Sequence, residues 1–312
     1  DGAAARARVP VLAPGIVAGL FDPAAQDIDT AALVERYRRR FAARGGELRR
    51  SAEVVAIESS AGAWRIVTAT FTVACAVVVN AAGAWADAIA ALAGVAPLGL
   101  RPLRRSAATV ELPAGVDARR WPCVIDADEQ FYFKPDAGRL LLSAADEVPS
   151  PPGDASPDDL DIATAVDRVE RATCLEITRI ASRWAGLRTF APDRSPVIGF
   201  EPAAAGFFWL AGQGGYGLQT APAAAACAGA LAPGEPPPQW VPGEGGTAAG
   251  LAGVAGGGGG GPRPPPPPPA GGGRLPRGEP LPQWVAGEGV SAADLAPARL
   301  RNGDIPGLAA AK

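Results

Sequence analysis

Residues 207–222 read FFWLAGQGGYGLQTAP, and this stretch carries the strongest structural signal in the chain. Its five apolar residues, Phe207–Ala211, predict a short buried strand. Four glycines follow within six positions, and the Ala-rich segment after them predicts a helix. We expect Thr220 to cap this helix, Pro222 to lie in its first turn and Leu231 to end it. A strand, a glycine-rich turn and a helix N-terminus can bind an electron-rich group through free backbone amides and the helix dipole.

Three of these glycines, Gly212, Gly214 and Gly217, match the G-x-G-x-x-G pattern of dinucleotide-binding loops. That pattern should open a βαβ unit with an acidic residue about 20 residues further on. Here the helix is followed by Pro233–Pro236 and by no predicted strand. Three interpretations stay open: a phosphate loop, a helix N-terminus aimed at another electron-rich group, and a plain tight turn. We favour the second.

The composition excludes several classes of function. A chain of 312 residues with 48% hydrophobic content can bury one large core or two smaller ones. The net charge of −3 gives no indication of a nucleic-acid partner, and no apolar run is long enough to span a membrane. No signal peptide is visible, which favours the cytoplasm. Because the sequence lacks Met and opens at Asp1 in an Ala/Arg-rich stretch, we interpret it as a fragment. It identifies no protein partner.

The chain has no histidine and four widely separated cysteines. The lack of histidine excludes Ser-His-Asp and Cys-His catalysis and histidine acid–base chemistry. The cysteines lack C-x-x-C and zinc spacing, so we expect no metal site and four small buried side chains. They are Cys75, Cys123, Cys174 and Cys227. If the chain does chemistry, we therefore expect a bound cofactor to carry it.

The periodicity of residues 31–93 predicts part of a doubly wound α/β layer. Asp29 or Thr30 is placed to cap a helix over residues 31–44. The apolar stripe of this helix is Leu33, Val34, Tyr37 and Phe41. Three strands and a second helix follow, at residues 47–59, 64–70, 72–80 and 84–93. The apolar run Ala74–Val79 is typical of a central parallel strand covered on both faces.

Residues 97–183 change character and predict a second, α+β domain. Short strands are predicted at residues 106–111, 130–134 and 140–144, and an amphipathic helix at residues 159–180. We therefore expect an incomplete doubly wound α/β domain over residues 1–96 and 184–232, with an antiparallel-sheet domain inserted over 97–183.

Residues 233–312 are predicted as a disordered, Gly/Pro-rich low-complexity tail. The segment GEPPPQWVPGEG at Gly234–Gly245 recurs as GEPLPQWVAGEG at Gly278–Gly289. A single recurrence is too little for a repeat architecture, so we interpret it as a duplication around one C-terminal segment.

Several stretches between residues 9 and 232 resemble, in order, the glycine oxidase/D-amino-acid oxidase family of FAD-dependent oxidoreductases. They are Asp22-Pro23 with Ile28-Asp29, Val77–Trp85, Arg101-Pro102, Trp184–Arg188, Pro192–Gly199 and Ala211–Gly217. The resemblance implies a discontinuous FAD-binding domain with an inserted substrate domain. The family also opens with a βαβ unit whose G-x-G-x-x-G holds the FAD pyrophosphate. Residues 1–30 contain no such pattern, so either that unit is absent from this sequence or FAD binding is lost.

The resemblance implies a set of cofactor-binding positions. The glycine-rich turn would lie at the pyrimidine edge of the flavin, where the helix dipole favours the anionic reduced form. The positions are Gly212, Gln213, Gly214, Gly215, Tyr216, Gly217 and Leu218. Asn80, Ala82 and Gly83 would line the ADP side. Pro192 and Asp193 would run beside the ring.

The same resemblance implies two catalytic-site residues. Arg188 would lie beside the cofactor and bind a substrate carboxylate as a bidentate fork, and Tyr132 would face the substrate across the ring. Simpler interpretations stay open, in which Arg188 pairs with a surface carboxylate and Tyr132 packs within its sheet. We interpret Trp184 and Trp209 as core residues, not site residues. Two positions depart from the family, because Gly215 stands where a second arginine is found and Gln130 where a histidine is found.

The implied reaction is oxidation of an amino acid or secondary amine, of the D-amino acid, glycine or sarcosine type. The Cα hydride would pass to flavin N5, and water would hydrolyse the resulting imine. This chemistry needs placement and no protein base, so a chain without histidine can carry it out. Two alternatives stay open. One is oxidation of a 2-hydroxy acid or glycerol phosphate, which usually needs a base; the other is a truncated remnant without catalysis.

Overall fold

The computed structural model describes residues 1–60, 62–236 and 238. Within them there are five α-helices, a 3₁₀ turn at Gly83–Trp85 and twelve strands. The helices are α1 (Gly2–Arg8), α2 (Thr30–Ala42), α3 (Ala86–Leu92), α4 (Asp159–Ala172) and α5 (Gly217–Leu231). The strands are β1 (Val54–Ser60), β2 (Ala63–Thr68), β3 (Thr72–Cys75), β4 (Val78–Asn80), β5 (Arg101–Val110), β6 (Val124–Ile125), β7 (Tyr132–Asp136), β8 (Arg139–Ser143), β9 (Val148–Pro149), β10 (Ile180–Phe190), β11 (Val197–Phe200) and β12 (Phe207–Ala211).

The tertiary contacts group the chain into two compact units. Unit 1 is formed by Asp1–Ser51 and Arg101–Thr189, and unit 2 by Ala52–Leu100 and the chain from Phe190 onward. This grouping differs from the domain boundaries predicted from the sequence, since it joins the first 51 residues to the central segment. The assignment of a cofactor domain and a substrate domain remains a prediction.

Unit 1 is built on one sheet with the order β10-β5-β8-β7-β6, and β9 also pairs with β5. One face of the sheet packs against α4 through an apolar core. That core includes Ala108, Val110, Phe133, Leu140, Leu142, Ile162, Ala165 and Val169. An antiparallel sheet with one packed helix is the arrangement that the sequence predicts for this segment.

Helix α4 is shorter than the sequence predicts. It ends at Ala172 instead of near residue 180, because Thr173 is extended and its hydroxyl donates to the Val169 carbonyl at 2.7 Å. The chain then forms β10 in the unit 1 sheet, although the sequence assigned residues from 184 onward to the first domain.

Helix α2 begins where it is predicted, since the Asp29 carboxylate accepts the Ala32 amide at 2.9 Å. Its apolar stripe is not part of a core, however, and no residue of α2 is buried. Val34 is 61% exposed, and Tyr37 and Phe41 are exposed as well. Amphipathic periodicity predicted the helix correctly but not the burial of its apolar side.

Unit 2 contains two three-stranded sheets, the antiparallel β1-β2-β3 and the mixed β11-β12-β4. Strand β12 is buried on both faces, which explains its continuous apolar sequence. Phe207 and Trp209 pack with α3 and the first sheet, whereas Phe208 packs with Cys227 and Leu231 of α5. The buried strand predicted at Phe207–Ala211 is confirmed.

Three local predictions in unit 2 are wrong. The single strand expected over residues 72–80 is divided into β3 and β4, and Val79 is 44% exposed, so the run is not covered on both faces. Helix α5 begins at Gly217, and Thr220 lies within its first turn, where its hydroxyl donates to the Tyr216 carbonyl at 2.8 Å. Pro222 lies beyond that turn.

The four cysteines are free, but only Cys227 is fully buried. Cys123 and Cys174 are exposed and Cys75 is partly buried, so the expectation of four buried cysteines is wrong. No helix in the described part of the chain is both long and apolar enough to cross a membrane. The predicted low-complexity tail and its duplicated segment lie, apart from residues 233–236 and 238, outside the described residues.

Candidate functional site

Three of the segments predicted to bind the cofactor meet at one edge of a sheet in unit 2. Strands β4 and β12 are parallel, with Asn80 opposite Trp209, so the turns after both strands lie at the same edge. Strand β11 is antiparallel to β12 and begins with Val197 opposite Ala211. The segment before β11, which contains Pro192 and Asp193, therefore reaches this edge too. Ligands of open α/β sheets bind at the carboxyl ends of parallel strands.

The glycine-rich turn packs tightly against an aromatic ring. Gly212 and Gly214 have φ angles of +73° and +55°, which side-chain-bearing residues rarely adopt. A Cβ on Gly214 would lie 2.4 Å from Cε1 of Phe190. Phe190 also forms a β-bridge with Gln213. The Arg194 guanidinium lies over the Phe190 ring, 4.1 Å from its centre. The turn therefore needs glycine for both its backbone angles and its contacts.

Helix α5 starts directly after this turn without a side-chain cap. Its N-cap residue is Tyr216, whose side chain accepts no hydrogen bond from the helix, and the first helical bond runs from the Thr220 amide to the Tyr216 carbonyl. The amides of Gly217, Leu218 and Gln219 precede that bond. An uncapped N-terminus of a 15-residue helix can donate to an electron-rich group and stabilise negative charge there.

The other predicted cofactor residues have structural contacts of their own. The buried Asn80 amide donates to the Ala86 carbonyl at 2.8 Å, and its oxygen accepts the Ala82 amide at 3.3 Å. Gly83 follows with a φ of +56° and open space where a Cβ would be. Asp193 accepts the Ser195 amide at 3.0 Å. These side-chain contacts stabilise the turn after β4 and the segment before β11, both of which lie at the sheet edge.

Arg188 and Tyr132 both belong to the sheet of unit 1, on the face opposite α4. The hydroxyl oxygens of Thr109 on β5 and Ser182 on β10 lie 2.6 Å apart, so these two side chains are on the same face of the sheet. Side chains alternate along a strand, so Arg188 shares the face of Ser182. Tyr132 is opposite Ser143 on β8, and this pair falls on the same face.

The Arg188 guanidinium is partly buried beside other charged groups. Burial lowers its pKa, and the neighbouring Arg105 cation lowers it further, while Tyr132, Glu147 and Asp146 raise it less. Within the described residues, Arg188 forms no ion pair or side-chain hydrogen bond. A half-buried cation in this state favours an external anion, because a buried charge is costly unless it is paired.

Sequence reasoning missed the residues around Arg188. Arg105 on β5 donates from Nε to the Asp146 carbonyl at 2.6 Å, and its Nη2 lies 3.5 Å from Glu147. Both carboxylate oxygens of Asp146 accept the Ser106 amide, at 3.0 and 2.9 Å. Burial raises the pKa of Asp146, and the nearby Asp161 adds to this. Residues 106–110 of β5 are all buried, so no alternation of polar and apolar residues marks the face of Arg105 in the sequence.

Two tryptophans were interpreted as core residues. Trp209 is fully buried and its indole N–H donates to Glu201 at 3.1 Å, so that interpretation is confirmed. Trp184 is 41% exposed, so for this residue it is wrong. Because Trp184 lies two residues from Ser182 and four from Arg188 on β10, it shares their face of the sheet.

Comparisons with known proteins agree with these features. The family model described as DAO, FAD dependent oxidoreductase, matches residues 1–231. A bovine (Bos taurus) FAD-dependent oxidoreductase domain-containing protein 1 is 29% identical over 171 residues, which are 48% of this chain and 34% of that protein. The chain thus spans about a third of the length of the curated relatives it matches.

Solved structures share the fold. L-proline dehydrogenase from P. horikoshii superposes with a TM-score of 0.65 at 22% identity, over 72% of this chain and 61% of that one. Glycine oxidase from Geobacillus kaustophilus gives a TM-score of 0.53 at 24% identity, over 62% of this chain and 50% of that one. At such identities the similarity establishes the fold alone.

Proposed function

Since the chain belongs to the DAO family of FAD-dependent oxidoreductases, we propose that it oxidises an amino acid or a secondary amine that carries a carboxylate. The observation that carries this proposal is the partly buried Arg188 guanidinium, which has no ion pair among the described residues and shares a sheet face with Tyr132. The names of the similar proline dehydrogenase and glycine oxidase, both of which state amino-acid substrates, support it.

FAD is the cofactor of this family, and the edge of the β11-β12-β4 sheet fits it. Residues 212–218, 80–83 and 192–193 would hold it, through backbone amides at the glycine-rich turn and at the N-terminus of α5. Glycine at positions 212 and 214 keeps the backbone free of side chains where a flat ring would approach. When bound, FAD supplies the acceptor for the hydride of the substrate.

Arg188 would bind the substrate carboxylate with two parallel hydrogen bonds and so fix the orientation of the reacting carbon. Tyr132 would restrict the substrate from β7 on the same face of the sheet, where β5 and β8 lie between it and β10. The substrate amine needs only to be neutral, so no protein base is required. This matches a chain in which histidine is absent.

The test is reduction of the flavin without oxygen. The purified chain is loaded with FAD and mixed with D-amino acids, glycine, sarcosine or 2-hydroxy acids. We expect loss of the oxidised flavin absorption with at least one amine substrate and none with the hydroxy acids. Reduction by hydroxy acids alone would favour the alternative chemistry, and a chain that never retains FAD would be a remnant without catalysis.

Arg188→Ala tests the role of the guanidinium. Losing a charge-assisted bidentate contact of about 1.5–3 kcal/mol should raise KM for carboxylate-bearing amines roughly 10- to 100-fold. The matched control is Arg183→Ala on the same strand, because Arg183 pairs with Asp159 of α4 on the other face. An unchanged KM in Arg188→Ala would remove this residue from the site.

A further inference from the structure

A second arginine shares the sheet face of Arg188. Thr109 and Ser182 are in side-chain contact across the antiparallel strands β5 and β10. Side chains alternate along a strand, so Arg105, four residues before Thr109, lies on the same face as Arg188, six residues after Ser182. Neighbouring positions on one face of adjacent strands are within reach of two long side chains. Their closeness is also seen in the electrostatic effect of Arg105 on Arg188.

There is room for a ligand group beside these arginines. Gly186 lies two residues before Arg188 on the same face of β10, and a Cβ placed on it would meet no atom within 4 Å. Three other cations share this face: Lys134 on β7 is paired with Asp27, and Arg101 on β5 and Arg139 on β8 are exposed. Among the described strands of this sheet, Arg105 and Arg188 are therefore the partly buried guanidiniums of this face.

Arg105 is held in a fixed orientation, and two carboxylates, Glu147 and Asp146, lie near it. Its side chain is 12% exposed, and its Nε donates to the Asp146 carbonyl. Its ion pair with Glu147 is long, at 3.5 Å, and the Glu147 side chain is 32% exposed, so water screens the pair. A ligand carboxylate can therefore take up the remaining donors of this fork at little cost.

We propose that this sheet face selects substrates with two carboxylates, in which Arg188 binds the carboxylate beside the reacting carbon and Arg105 binds the second one. Arg105 is then the residue that determines specificity for amino- or imino-dicarboxylic acids over monocarboxylic ones. The proposal rests on the function proposed above, because it assumes that Arg188 anchors the substrate.

The test measures binding, so that it does not depend on turnover. Succinate and propionate, which carry two carboxylates and one and lack an amine to oxidise, are titrated into the full chain by calorimetry. We expect succinate to bind about tenfold or more tightly than propionate, the effect of one charge-assisted contact. Arg105→Gln should bring succinate to the affinity of propionate and change propionate less than about twofold.

Two further variants make the result specific. Arg188→Gln should weaken both ligands, and Arg183→Gln, on the opposite face, should weaken neither. Equal affinities of succinate and propionate in the unmodified chain, or an unchanged ratio in Arg105→Gln, would refute the proposal. If the flavin is never reduced by amines while the succinate preference depends on Arg105, the oxidation function fails and the dicarboxylate site stands.

Discussion

At the scale of single residues, the stability of the glycine-rich turn depends on the atoms that a side chain at each glycine would contact. Gly214 combines a positive φ with a Cβ direction that points into the Phe190 ring. Gly229, in the middle of α5, has no atom within 4 Å of a built Cβ and no positive φ. The same substitution should therefore have opposite effects at these two positions.

We expect Gly214→Ala to lower the free energy of unfolding by about 1–3 kcal/mol, from backbone strain and overpacking. Gly229→Ala should raise it by up to about 1 kcal/mol, because alanine is the better helix former. Urea unfolding followed by circular dichroism measures both. A Gly214→Ala chain as stable as Gly229→Ala would show that the turn adapts freely.

At the scale of elements, α2 and α4 have similar amphipathic sequences but different surroundings. Helix α4 packs Ile162, Ala165 and Val169 into the core of unit 1. In helix α2 the side chains of Val34, Tyr37 and Phe41 are exposed, and no residue of the helix is buried. A periodic apolar stripe indicates a helix, but only the neighbouring elements decide whether that stripe is covered.

A pair of identical substitutions measures this difference. Val169→Ala should destabilise the chain by about 2–3 kcal/mol, because it removes two buried methyl groups and leaves a cavity. Val34→Ala should change the free energy of unfolding by less than about 0.5 kcal/mol, since Val34 is exposed. Chemical denaturation provides both values. A large loss in Val34→Ala would mean that the stripe is covered in solution.

At the scale of the whole molecule, the buried apolar residues form separate clusters that follow the two units. Val169 belongs to the cluster between α4 and the sheet of unit 1. Val197 belongs to the cluster of β11, β12 and α3 in unit 2. Neither cluster shares a residue with the other.

We therefore expect Val169→Ala and Val197→Ala to be additive within about 0.5 kcal/mol in a double-mutant cycle. Val169→Ala combined with Leu142→Ala, in one cluster, should deviate by more than about 0.5 kcal/mol. Equilibrium unfolding of the single and double variants supplies the numbers. Strong coupling between Val169 and Val197 would show that the units do not have independent cores.

The features that the sequence predicted are local ones. The strand Phe207–Ala211, the start of α2 at Asp29 and the antiparallel sheet with α4 depend on apolar periodicity and capping within a few residues. The errors concern boundaries and burial, as with Thr220 inside α5 and the exposed Trp184. The cofactor positions, Arg188 and Tyr132 came from family resemblance, and their roles remain proposals.

The sequence alone determined that the chain has a glycine-rich turn between a buried strand and a helix, and its lack of histidine led to the expectation that a bound cofactor carries any chemistry. Only the tertiary structure decided which distant residues meet. Strand pairing brings the turns after β4 and β12 to one edge of a sheet. The contact between β5 and β10 places Arg105 and Arg188 on the same face of another sheet. Strand register depends on contacts between segments far apart in the chain, which no local pattern records.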